Sequence, residues 1–93
     1  MPEMRFHIRW PDGRREACYS PSLVIKDYLD VGTAYPLAAF LARSRKALGI
    51  ASERVRALHG FPCPRALGQL ARIEAAARDH PADGTVTVER FEE

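Results

Sequence analysis

At 93 residues, with 28% charged and 46% hydrophobic positions, the chain has ordinary globular composition, which excludes a disordered or membrane-spanning class and fits one domain, 1–93, around one core. A domain of this size buries only about 60 to 65% of the surface its unfolded form exposes, so a deep substrate cavity is hard to accommodate. The net charge of +2 is too mild to demand nucleic acid as a partner.

The first element is the clearest. Met4, Phe6, Ile8 and Trp10 alternate with Arg5, His7 and Arg9, the period of two that marks a strand with one buried face. Pro11-Asp12-Gly13 follows with the residue types of a tight hairpin loop, and a second strand is expected from Arg14 to about Tyr19. Closing that hairpin with Gly13 as a bulge sets Arg9 opposite Arg15, His7 opposite Ala17 and Arg5 opposite Tyr19. Ser20-Pro21-Ser22 ends the strand, and the stretch from Leu23 to Leu29 fits either a short helical turn or an extended segment.

Pro36 suits the first turn of a helix, where its missing N–H is not needed. Leu37, Phe40, Leu41, Ala47, Leu48, Ala51, Val55 and Leu58 then recur at three- and four-residue steps up to Gly60, with Gly49 as a point where the helix could kink or split. Phe61-Pro62-Cys63-Pro64 is a stiff connector, and a second helix is expected near 64–79 with the apolar set Leu67, Leu70, Ala71, Ile73 and Ala77. The cluster from Asp79 to Gly84 stops it, and Thr85 to Phe91 reads as a last strand. The order β-β-α-α-β predicts an α+β fold: a three-stranded, mainly antiparallel sheet with both helices on one face and the last strand beside the first.

No run approaches the roughly 20 apolar residues needed to span a bilayer. The N-terminus reads straight into a strand with no signal peptide before it, so a cytoplasmic protein with Cys18 and Cys63 reduced is expected. Cys18 alternates onto the Phe6 and Ile8 side and is expected in the core.

Several groups could carry function. Arg5, His7, Arg9, Arg15 and Tyr19 would share the solvent side of the sheet as a docking patch for an acidic protein surface or a phosphate backbone. The bland alternative is a solvated charged face, with Glu89 of the last strand supplying the counter-charge that Arg9 and Arg15 need. Arg43, Arg45, Lys46, Arg54 and Arg56 make the first helix basic and allow a weak nucleic-acid reading. The two prolines of the connector and the nearly neutral second helix speak against a helix-turn-helix. Cys63 at a helix N-terminus, with His59 four residues upstream, could form a thiolate nucleophile, or Cys63 could pack a helix end as a small apolar residue. The spacing of the histidines and cysteines matches no metal site, and no phosphate loop, dinucleotide fingerprint or nucleophile elbow is present. No cofactor is expected, and an enzyme reading rests on one cysteine.

The chain also resembles a small family of bacterial nitrogen-starvation-response proteins encoded in gene clusters around a nitrilase-type enzyme. The resemblance rests on Met1-Pro2-Glu3-Met4, Arg9-Trp10-Pro11-Asp12-Gly13, Cys18-Tyr19-Ser20-Pro21-Ser22, Tyr35-Pro36-Leu37 to Phe40, Ala51-Ser52-Glu53-Arg54-Val55-Arg56, Gly60-Phe61, Cys63, Gln69-Leu70 and Ile73-Glu74. His59 departs from the aromatic residue expected before Gly60-Phe61. The resemblance implies a cytoplasmic accessory protein acting with enzymes of its cluster under nitrogen limitation, and it raises a protein partner over nucleic acid. With no catalytic constellation in the residues, the expected function is a non-catalytic binding or accessory module, with self-association as the other arrangement.

Overall fold

The computed structural model describes residues 2–93, so Met1 of the N-terminal motif lies outside the described residues. Strand β1 (Met4–Arg9) turns into β2 (Arg15–Ser20), and a 3-10 turn at Leu23–Asp27 leads to the short β3 (Ala34–Pro36). Helix α1 (Leu37–His59), helix α2 (Pro64–Ala77) and strand β4 (Thr85–Glu92) complete the chain. The sheet is antiparallel throughout, in the order β2-β1-β4-β3.

The hairpin has the expected register, with Arg5 opposite Tyr19, His7 opposite Ala17 and Arg9 opposite Arg15. Its loop is held by the Gly13 N–H donating to the Trp10 carbonyl (2.9 Å) and the Trp10 N–H donating to the Arg14 carbonyl (2.8 Å). Gly13 takes φ +90°, a conformation a Cβ would strain. The Asp12 carboxylate accepts from the Arg14 backbone N–H at 2.9 Å, and that bond lowers its pKa from the ordinary value.

The sheet has four strands where sequence reasoning expected three. The additional strand, β3, pairs Ala34, Tyr35 and Pro36 with Thr87, Val86 and Thr85. Pro36 is therefore the last residue of a strand and the N-cap of α1, and the first helical residue is Leu37. The constraint is the same in both readings, since proline has no N–H to give either to a ladder or to a helix's first turn.

Alternation along β1 and β4 sends Met4, Phe6, Ile8, Val86 and Val88 to one side, where they pack with Phe40, Ala47, Leu48, Ile73 and Ala77 of the helices. Both helices lie on that side, and Cys18 joins the core as expected. Helix α1 runs unbroken through Gly49, and α2 ends at Ala77, two residues before the expected stop. The apolar stripes were overextended: Leu58 is 62% exposed because α1 continues past the residues that the sheet and α2 cover, and Leu67 (46% exposed) and Ala71 lie outside the face of α2 buried through Ala66, Gln69, Ile73 and Ala77.

Three further contacts join layers. The Trp10 ring stacks on His80 at 5.0 Å, meets Phe40 edge-on at 5.9 Å, and donates its indole N–H to Glu16 Oε1 at 2.9 Å. Gly84 sits so close to Pro11 that an added Cβ would meet the proline ring at 2.7 Å. The loop after β2 is tied to α1 by Arg54, whose guanidinium donates to Ser22 Oγ at 2.8 Å while that oxygen also accepts from the Val24 N–H.

Tyr35 anchors β3. Its side chain is buried, its hydroxyl accepts from the Asp30 backbone N–H at 2.8 Å, and Arg43 lies 5.2 Å above its ring. Tyr35→Phe leaves that N–H without its partner at a part-buried position, so we expect a loss of about 1–2 kcal/mol in urea-denaturation stability with an unchanged m-value.

Candidate functional site

Arg5, His7, Arg9, Arg15 and Tyr19 lie on neighbouring strands and share the sheet side away from the helices, as alternation requires. The charges there are largely answered from within. Glu89 of β4 meets Arg15 at 3.1 Å and Arg9 at 3.5 Å, which relieves the repulsion between two arginines directly opposite each other. Glu92 meets the His7 ring at 2.8 Å and Arg90 at 3.9 Å. The His7 hydrogen bond is the first cause of a Glu92 pKa below the ordinary 4.5.

The face is thus a mosaic of both signs rather than a basic patch. A hollow of about 390 Å³ lies among His7, Arg15, Glu89 and Arg90; Ala17, directly opposite His7, fills little of the space beside it.

Tyr19 belongs to different surroundings from the other four. It stands at the β2 edge, where α2 packs against the strand. Arg65 of α2 lies 3.8 Å from its ring centroid and Arg5 lies 5.9 Å from it. The edge-facing Tyr19 N–H donates to Gln69 Oε1 at 3.0 Å, and the same oxygen receives Arg72 at 3.5 Å. Burial, and then a hydrogen bond with Glu3, raise the Tyr19 pKa and keep its phenol neutral. Gln69, 2% exposed, and Arg65 and Arg72 were missed by sequence reasoning. A glutamine within an apolar helical set reads as surface until the strand edge it caps is known.

The remaining candidates do not assemble into a constellation. Cys63 is buried as the N-cap of α2, whereas His59 is exposed at the end of α1 with its ring 6.4 Å from that of Phe61. Among the described residues no hydrogen bond joins the two. The basic helix is mostly engaged within the protein: Arg43 donates to the Tyr28 carbonyl, Arg45 pairs with Glu74, Arg54 holds Ser22 and Arg56 pairs with Glu53. No group of three or more potential metal ligands occurs among the described residues, and no helix there is long and apolar enough to cross a membrane.

A family model described as nitrogen starvation-induced protein NitG matches residues 5–91. No curated protein and no solved structure matches the chain.

Two outcomes follow from this electrostatic layout. Glu89→Gln leaves Arg9 and Arg15 opposed without a counter-charge; all three groups are at least partly exposed, so the loss is expected to stay within about 1 kcal/mol and to shrink as salt is added. Glu92, with its pKa lowered on folding, contributes stability that is complete above the ordinary 4.5 and is lost as pH falls through the lowered value. NMR titration should therefore show the Glu92 carboxylate protonating below Glu92 of the unfolded chain, and His7→Ala should remove most of that difference.

Proposed function

The chain belongs to the NitG family of nitrogen starvation-induced proteins, and from that premise we propose that it is a non-catalytic accessory module that docks a protein partner on the open face of its sheet during nitrogen limitation. The observation that carries this reading is the mosaic built on Arg5, His7, Arg9 and Arg15 with Glu89 and Glu92: it is uncovered, it is fixed by strand register, and it surrounds a hollow wide enough to take a side chain.

The alternation of sign favours protein over nucleic acid. Glu89 and Glu92 sit among the arginines, where a phosphate backbone would meet repulsion as often as attraction, whereas a protein surface can answer each charge in turn. Rigid strands hold these side chains, so little ordering cost falls on this side of the interface. The family resemblance supports enzymes encoded alongside this chain as the first partners to test, with self-association as the other arrangement.

Inverting the Arg9–Glu89–Arg15 triad to Glu–Arg–Glu keeps two internal ion pairs and reverses every sign. The R9E/E89R/R15E variant should fold with a near-native circular dichroism spectrum and lose the proteins that the native chain captures from nitrogen-starved cells of its own source. If the folded, inverted variant captures the same proteins as the native chain, the sheet face is not the docking surface.

A further inference from the structure

We propose that the notch at the β2 edge, lined by Tyr19, Arg65, Gly68 and Arg72, is a binding site for a small oxyanion carrying a phosphoryl or carboxylate group. It adjoins the sheet-face mosaic at Arg5, which packs on the Tyr19 ring, but its lining is distinct from the mosaic's.

The notch has a volume of about 380 Å³. Arg65, Gly68 and Arg72 are three and four residues apart on α2, so they fall on one helical face, with the two guanidinium groups on either side of a residue that has no side chain. Arg65 lies flat over the Tyr19 ring, which holds its fork in place, and its nearest carboxylate is Glu3 at 3.8 Å, beyond a good hydrogen bond. Arg72 has no carboxylate partner among the described residues and reaches only Gln69 Oε1, at 3.5 Å. Arg5 places a third guanidinium 5.9 Å from the centroid of the same ring. Most arginines elsewhere in the chain have a carboxylate or carbonyl within reach, so this is where positive charge converges with the least compensation. Planar guanidinium forks match phosphoryl and carboxylate oxygens in pairs, and an anion bound there would compete with Glu3, which takes the Tyr19 hydroxyl and lies near Arg65.

Two features beyond the charge mark the notch. A glycine in a helix interior destabilises it, and at Gly68 nothing in the fold requires one: its backbone is ordinary helix, and an added Cβ would meet no atom within 4 Å. The missing side chain leaves open the space between the two arginines. Next to Gly68 in the chain, the buried Gln69 spends its oxygen on Tyr19 and Arg72 while its Nε2 has no partner among the described residues. A buried amide left half satisfied is a cost that glutamine incurs here while it positions the strand edge and Arg72.

The test is titration of the full chain with inorganic phosphate and, separately, with succinate, at fixed ionic strength maintained with chloride and followed by NMR chemical shifts and calorimetry. Saturable binding is expected, with shifts concentrated at Tyr19, Arg65, Gly68 and Arg72. The tighter of the two anions identifies the oxyanion source. Arg65→Ala and Arg72→Ala should each weaken binding by about tenfold or more, whereas Arg78→Ala at the C-cap of the helix should leave it unchanged. Gly68→Glu places a carboxylate between Arg65 and Arg72, so it should raise Tm by several degrees and abolish binding. Non-saturable shifts with both anions, shifts spread over all arginines, or undiminished affinity in a folded Gly68→Glu variant would each overturn the proposal.

Discussion

The pairing of β4 with β1 is the constraint on which the rest of the structure depends. These two strands are the middle of the sheet, and β4 also carries β3 on its other edge. Their inward residues, Phe6, Ile8, Val86 and Val88, are fully buried and form the floor on which both helices rest. Their outward residues place Glu89 and Glu92 beside the arginines and the histidine of the hairpin. One pairing thus builds the core and also sets the charge pattern of the open face. The register shift between His7 and Ile8 is part of that arrangement: it lets Phe91 pair with Phe6 while Val88 pairs with Ile8, whereas a slip of the Val86–Val88 segment would bring Thr85 and Thr87, or Thr87 and Glu89, to the core side.

What was legible in the sequence depended on whether a local pattern was long enough to be unambiguous. Seven residues of strict alternation, Met4 to Trp10, followed by Pro-Asp-Gly determined β1, the turn and the register of β2, and with them the opposition of Arg9 and Arg15 that calls for an acidic neighbour. Glu89 fills that place. β3 was not legible, because three residues cannot display a period and the proline that ends the strand also suits a helix start. Helix periodicity located α1 and α2 but could not say where their covering ends, so Leu58 and Leu67 were assigned to the core and lie outside it.

The candidate sites were legible to differing degrees. The sheet-face residues could be named from alternation alone, but their compensation by Glu92 could not, because the expected last strand stopped at Phe91, one residue short of it. The α2 residues Arg65, Gly68 and Arg72 carried no signal of their own. They acquire meaning only because α2 crosses the edge of β2 at Tyr19, a tertiary fact supplied by a hydrogen bond between residues 50 positions apart.

That hydrogen bond also bears on how the protein stays out of aggregates. A sheet edge is a template onto which any extended chain can add, and the longer of the two edges here is β2. Its outward N–H at Tyr19 is already taken by Gln69, and Arg15 places a charge at the other end of the strand. The opposite edge, β3, is three residues long and ends in proline. An incoming strand would have to displace the glutamine on one side or pair with almost nothing on the other. Growth of the sheet into a fibre is therefore opposed at both margins.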